Sequence, residues 1–208
     1  SVTLLCADTR APDLALRALA KSMEAVAFAR AVLLALGDAR LALPAGVERI
    51  DIAPLASRDA YSDLMLKGLR PFAATPHVLV VQWDGYVVHA DAWTDDFLAC
   101  DYVGAPWSWH PPGRRVGNGG FSLRSRRLLD ALADDHVRLA GAEDETIGVA
   151  FRPWLEAERG IRFADEALAH RFAFEASYPV GRPFGFHGLF NFGRVMPDAE
   201  LAALAARF

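Results

Sequence analysis

Cysteine is scarce in this 208-residue chain, with only Cys6 and Cys100, which stand far apart inside apolar stretches. Such a pair suggests buried thiols more than a disulfide framework or a zinc site, and a reducing compartment fits them best. Long apolar runs are missing too: none approaches the roughly 20 residues that a membrane-spanning helix needs. The first residues read as a strand, not as a charged region followed by a signal-type core. A cytoplasmic location is expected. Charge of one sign is also in short supply. The formal net charge of -4 gives no broad attraction to nucleic acid or to an anionic membrane. Lysine is limited to Lys21 and Lys67, a bias toward arginine that reflects genome composition and carries no function. Internal repeats and linkers are absent, and the chain is expected to form one domain over residues 1–208.

What is present is an ordinary globular composition, 53% hydrophobic and 23% charged, patterned as alternating strands and helices. Val2 to Ala7 reads as a strand, followed by Asp8 and Thr9 and by a helix with Pro12 in its first turn and Leu16, Leu19, Met23 and Val26 on its inner face. Ala31 to Leu36 and Val47 to Ile52 read as strands around a loop with Gly37, Asp38, Pro44 and Gly46, and Ser57 caps a helix reaching Leu69. Val78 to Val81 is the continuous β-branched run of a central parallel strand, ending at Gln82-Trp83-Asp84-Gly85. This order predicts an α/β, Rossmann-like fold with a mostly parallel sheet between helices. Its ligand crevice should lie beyond the carboxyl ends of the strands, where Asp8 and Asp84 both fall. From Asp101 to Phe121 the chain reads as irregular. Helices follow at Ser125 to Asp134, at Glu143 to Arg152 with Pro153 ending or kinking it, and at Asp198 to Ala206.

Several short constellations carry chemistry, and each has a structural alternative. Asp84, at a strand end, suits a divalent cation with diphosphate oxygens. Asp84-Gly85 is equally the signature of a tight hairpin between Val78 to Trp83 and Tyr86 to Val88. The loop Val116-Gly117-Asn118-Gly119-Gly120-Phe121-Ser122 departs from the dinucleotide fingerprint, because Ser122 stands where the last glycine belongs. No nicotinamide, flavin or haem cofactor is therefore expected. Glycines here either admit a sugar close to the backbone, with Asn118 and Ser122 as hydrogen-bonding groups, or form a plain turn. Arg114, Arg115, Arg124, Arg126 and Arg127 make a local basic cluster, one or two of which would touch an anion if the cluster is more than solvated surface. Glu143-Asp144-Glu145 supplies carboxylates suited to a general base, or simply acids favoured in a first helical turn. His187 is a metal ligand, a diphosphate donor or a packed core residue, and the tryptophans have no assigned role.

Taken in order, the strand-end aspartate, the glycine loop ending in serine, the acidic pair and the late histidine resemble the GT-A glycosyltransferases, and in particular the β-1,4-galactosyltransferase pattern. Nearly the whole chain is similar to a bacterial family of formerly unknown function, related to glycosyltransferases and associated with surface-polysaccharide genes, through QWDGYV, DYVGAPW, VGNGGFSLRS, AEDETIG and PFGFHG. The resemblance implies a GT-A domain that moves a sugar, with inversion, from a UDP-sugar or other nucleotide-sugar donor to a glycan or lipid-linked glycan acceptor in polysaccharide biosynthesis. Such a protein would meet the inner face of the membrane only through its acceptor. The implied donor site is Asp8, Thr9, Gln82, Asp84 and Arg124, with Asp84 and His187 holding manganese or magnesium. Asn118, Gly119, Gly120 and Ser122 would lie between donor and acceptor, Asp144 would be the base, and Glu143 would contact acceptor or donor. Gln82 stands where the DxD motif has its first aspartate, which weakens the metal site and leaves a route in which Arg124 neutralises the diphosphate. Two other outcomes remain: a carbohydrate-binding module of the same fold without turnover, and a nucleotidyltransferase that releases sugar phosphate or pyrophosphate.

Overall fold

The computed structural model describes residues 1–37 and 40–207, so Asp38 of the expected loop lies outside the described residues. The first strand, β1 (Val2–Ala7), is followed by α1 (Pro12–Ala25), β2 (Arg30–Ala35), β3 (Val47–Asp51), α2 (Arg58–Asp63) and β4 (His77–Val81). These four strands pair in parallel in the order β3-β2-β1-β4, and the inner strands β2, β1 and β4 are the nearly continuous apolar runs that a sheet buried on both faces needs. Side chains alternate across the sheet. Leu4, Cys6, Leu33, Leu79 and Val81 meet Leu16 and Leu19 of α1 on one face, and Leu5, Val32, Leu34, Val78 and Val80 meet Met65, Leu69 and Leu129 on the other. Met23 packs partly against the first cluster, while Val26 lies just past the end of α1. Cys6 is buried, Cys100 half-buried, and both are free thiols.

The second half adds β5 (Tyr102–Gly104) and β6 (Phe121–Ser125) to the same sheet, extending the order to β3-β2-β1-β4-β6-β5. Strand β6 runs antiparallel to both β4 and β5. Neither was expected in a stretch dense in glycine, proline and aromatic residues, and in β6 the polar side chains of Ser122 and Arg124 are fully buried, contrary to the usual apolar signal. The pairing also overturns the hairpin alternative. Gln82 to Gly85 closes as a turn, with the Gly85 amide donating to the Gln82 carbonyl at 3.0 Å, but β4 takes β6 as its antiparallel neighbour, and Val87 bridges to Gly185 instead.

The remaining elements are α3 (Arg126–Leu132), α4 (Glu143–Glu145), α5 (Arg152–Arg159), α6 (Glu166–Phe172), β7 (Ala173–Phe174), β8 (Gly185–Phe186), α7 (Phe192–Val195) and α8 (Asp198–Ala205). Ser57 and Ser125 cap α2 and α3 through their hydroxyls. The helix expected from Ser57 to Leu69 widens into a π-helical turn at Leu64–Gly68. The helix expected from Glu143 to Arg152 likewise passes into a π turn at Thr146–Ala150. Pro153 does not end it; the proline sits in the first turn of α5, where its missing N–H costs nothing. Asp198 opens α8 inside the helix, after Pro197. Among the described residues no helix is long and apolar enough to cross a membrane.

One buried carboxylate ties these parts together. Asp101, at the entry to β5, accepts from Ser125 Oγ at 2.6 Å and from the Arg162 amide at 2.8 Å, which fixes the cap of α3 and the approach to α6. Asp101→Ala leaves those donors unpaired in the interior, and urea denaturation should show a loss of about 2–3 kcal/mol.

Candidate functional site

The carboxyl ends of β1 and β4 open into one cleft made of two adjoining cavities. The smaller, about 250 Å³, is lined by Asp8, Thr9, Arg10, Leu55, Tyr61 and Gln82 among others. The larger, about 530 Å³, is bounded by Trp107, Trp109, Asn118, Gly120, Asp144 and His187 among others. Arg58, Tyr61 and Gln82 line both.

The turn after β1 is rigid. Asp8 Oδ1 accepts from the amides of Arg10 and Ala11 at 2.7 and 2.8 Å, and Thr9 Oγ1 accepts from the Leu55 amide at 2.9 Å. Asp8 and Thr9 thus shape the smaller cavity while their side chains stabilise the loop around it. After β4, the Gln82 amide donates to the Gly120 carbonyl at 2.8 Å, and Gln82 Nε2 donates to the Tyr61 hydroxyl at 2.8 Å. Glutamine, which can donate as well as accept, here joins α2 to the glycine loop.

Asp84 and His187 meet beside Gln82 at the rim of the larger cavity. Asp84 Oδ2 accepts from the Leu189 amide at 3.1 Å, while Asp84 Oδ1 is buried, makes no well-directed hydrogen bond, and lies 3.3 Å from His187 Nε2. His187 Nε2 also approaches Gln82 Oε1 at 3.0 Å, and its Nδ1 lies 2.9 Å from Glu175 Oε1 and 3.0 Å from Asn118 Nδ2. Burial opposes charge on His187, but the close carboxylates of Asp84 and Glu175 outweigh it and raise the imidazolium pKa to about 10. Burial would lift Asp84 as well, yet the contact with His187 holds it below its ordinary value. Among the described residues no group of three or more His, Cys, Asp or Glu side chains forms a metal cluster. The donor set that is present, a carboxylate oxygen without a hydrogen-bonding partner, an imidazole nitrogen beside it and the Gln82 amide oxygen, fits a divalent ion held by few protein ligands and completed by phosphate oxygens and water. Binding there requires His187 to lose its Nε2 proton.

The glycine loop packs against both this pair and α4. Asn118 adopts a left-handed φ of 59°, a conformation asparagine tolerates better than most residues, and its Oδ1 accepts from the Phe121 amide at 3.1 Å. A Cβ on Gly119 would overlap the Glu143 carboxylate, and one on Gly120 would overlap the His187 ring, so both glycines are required for close approach. The Gly119 amide donates to Asp144 Oδ2 at 3.0 Å, and the Glu145 amide donates to Asp144 Oδ1 at 2.9 Å. Asp144 is thereby oriented at the wall of the larger cavity.

Beneath the loop lies a buried ion pair. Arg124 is 0% exposed. Its Nη2 meets Glu143 Oε1 at 3.2 Å, its Nη1 donates to the Met65 carbonyl at 3.0 Å, and its Nε donates to Ser122 Oγ at 3.0 Å. Ser122 Oγ donates in turn to the Gly119 carbonyl at 3.0 Å. Burial pushes the Glu143 carboxyl above its ordinary value, with Arg124 pulling it back. Arg124 and Ser122 are therefore not brought to the cleft surface: their polar atoms are used in supporting the loop from below. Glu143 borders the cavity, but its carboxylate is engaged by Arg124. The basic cluster does not converge either, since Arg115, Arg126 and Arg127 bond to the carbonyls of His110, Ala73 and Arg159 respectively.

Sequence reasoning missed Arg58, Tyr61 and Glu175 and left Trp107 and Trp109 without a place, although all five line the larger cavity. Arg58 and Tyr61 follow the Ser57 cap on the exposed start of a recognised helix, and nothing in their local pattern marks the cavity. Replacing one partner of the ion pair, as in Arg124→Met, strands a buried carboxylate and should cost about 3–5 kcal/mol. The double variant Arg124→Met/Glu143→Leu should recover most of that loss in the same urea titration.

Comparison with known proteins bears on this geometry. No curated protein matches the chain in sequence. Among solved structures, the galactosyltransferase LgtC with donor and acceptor sugar analogs aligns over 97% of this chain and 99% of its own, at 14% identity and a TM-score of 0.57. Mouse xyloside xylosyltransferase 1 aligns over 93% and 99%, at 14% identity and 0.57. A glycosyltransferase involved in glycosylation of the major capsid of PBCV-1 aligns over 89% and 91%, at 12% identity and 0.54. The likeness extends along nearly the whole of each chain, and the fold is the GT-A fold. In sequence, a family profile matches residues 45–187, well over half of the chain, from just before β3 to His187 itself. The chain belongs to the family described as protein of unknown function (DUF5672).

Proposed function

We propose that residues 1–208 act as one GT-A glycosyltransferase unit, transferring a sugar from a nucleotide-sugar donor to a glycan or lipid-linked glycan acceptor of a surface polysaccharide. The carrying observation is that a single cavity, in a fold shared with sugar transferases, is lined by His187, which Asp84 contacts, by the fixed carboxylate of Asp144 and by Gly120. The nucleoside, a uridine in our reading, occupies the smaller cavity beside Asp8 and Thr9. Its diphosphate then crosses Gln82 toward Asp84, and the sugar lies over Asn118, Gly119 and Gly120. Asp84 and His187 would hold manganese or magnesium, whose chemistry is to neutralise the diphosphate.

Asp144 takes the proton from the acceptor hydroxyl as that oxygen bonds to the anomeric carbon and the nucleoside diphosphate departs, inverting the centre. The amides of Gly119 and Glu145 keep its carboxylate aimed. Glu143 and Arg124 act from behind by holding the loop and the start of α4 in register. The acceptor enters on the side of Trp109, which is 56% exposed, and Phe190, which is 60% exposed, both ring faces on which a sugar can stack. The protein works in the cytoplasm and reaches the inner face of the membrane through its acceptor.

A panel of UDP-, GDP-, CMP- and dTDP-sugars, titrated calorimetrically with and without manganese and then assayed for nucleoside diphosphate release, tests this reading. One donor should bind, more tightly with manganese, and Asp84→Ala should remove that enhancement. Asp144→Asn should retain donor binding but lose at least about 100-fold in kcat. Binding without turnover for every acceptor tried would favour the carbohydrate-binding reading, and release of sugar phosphate or pyrophosphate would favour a nucleotidyltransferase.

A further inference from the structure

The larger cavity, into which the proposed function leads the diphosphate, is mostly acidic. Glu143, Asp144, Glu145 and Glu175 line it, and Asp8 lines the smaller cavity. A doubly charged diphosphate entering this space meets repulsion unless cations stand where its phosphates come to rest. Arg124 is unavailable, because it is buried beneath the loop with its guanidinium shared among Glu143, Met65, Ser122 and Gly119.

Arg58 is placed differently. Among the described residues three line both cavities, and of Arg58, Tyr61 and Gln82 it alone carries a charge. Tyr61 and Gln82 bond to each other at 2.8 Å, whereas the exposed Arg58 side chain has no hydrogen bond or ion pair with any of the described residues. Its backbone is fixed all the same, for it begins α2 directly after Ser57, whose Oγ accepts from the Ala60 amide at 3.1 Å. Arg10 stands in the smaller cavity on the turn that Asp8 pins, and its guanidinium is likewise uncommitted among the described residues. Among the described residues, two uncommitted guanidinium groups thus border a cleft in which Gln82, at the junction, is neutral.

We propose that Arg58 binds the diphosphate of the donor, with Arg10 as a second cation on the nucleoside side, so that nucleoside diphosphate binding persists when divalent cations are removed. The assignment rests on the donor reading above and adds to it. A guanidinium at the junction can grip two phosphate oxygens at once, which a point charge cannot. In the transfer step the same group stabilises the charge that collects on the leaving diphosphate.

Calorimetric titration of UDP and GDP, with uridine and guanosine as phosphate-free controls, tests the assignment on wild type, Arg58→Gln and Arg58→Lys, each in manganese and in EDTA. Wild type should bind one diphosphate in EDTA. Arg58→Gln should weaken that binding about tenfold or more, leave nucleoside binding and the melting temperature unchanged, and lose less in manganese; Arg58→Lys should recover part of the loss. Equal affinity of wild type and Arg58→Gln in EDTA would overturn the role of Arg58, as would wild-type binding that vanishes in EDTA, and either result leaves the donor reading intact. Failure of both diphosphates to bind wild type in either buffer would overturn the donor reading and the Arg58 assignment together.

Discussion

Everything at the cleft stands on the buried contact between Arg124 and Glu143. An arginine with no exposure in the middle of an edge-side strand is costly to desolvate, and it is tolerated only because each part of its guanidinium finds an acceptor. Those acceptors come from four places: Met65 in the π turn after α2, Ser122 in β6, Gly119 in the loop and Glu143 in α4. One side chain therefore fixes the relative positions of the helix that carries Tyr61, the glycine floor and the segment that presents Asp144. The loop glycines follow from the same contact, since Gly119 must leave room for the Glu143 carboxylate just as Gly120 must for His187.

The sheet explains why the cleft is where it is. Four parallel strands deliver Asp8 and Asp84 to one edge. The reversal at β6 then returns the chain so that the loop before that strand lies beside the end of β4, with the Gly120 carbonyl accepting from the Gln82 amide. Antiparallel pairing thus places the glycine loop next to the strand-end aspartate, and the late chain, through β8, brings His187 to close the third side. Chemistry that is scattered over more than a hundred residues of sequence is assembled by one change of strand direction.

The parallel half of the fold was legible because β1, β2 and β4 are nearly uninterrupted apolar runs and α2 has a recognisable cap at Ser57. The antiparallel half was not. In β6 the buried positions include Ser122 and Arg124, which satisfy one another inside the protein and so erase the hydrophobic signal, while β5 is only three residues long. Pro153 misled for a related reason: a proline after a helical stretch marks a boundary, but not which helix owns it. At the site, Asp84, His187, Asn118, Gly119, Gly120 and Asp144 could be picked from short strings and do converge. Arg124 was picked for its charge, a property that says nothing of burial, and Arg58 was passed over because a surface arginine at a helix start looks the same whether it borders a cavity or open water.

The central claim is that one nucleotide lies across Gln82, from the smaller cavity into the larger. A crystal structure of the protein soaked with UDP and manganese addresses it directly. The account predicts uridine density beside Asp8 and Thr9, with the diphosphate passing Arg58 and Gln82 toward Asp84. Well-ordered nucleotide bound elsewhere, with this cleft filled only by water, would contradict it.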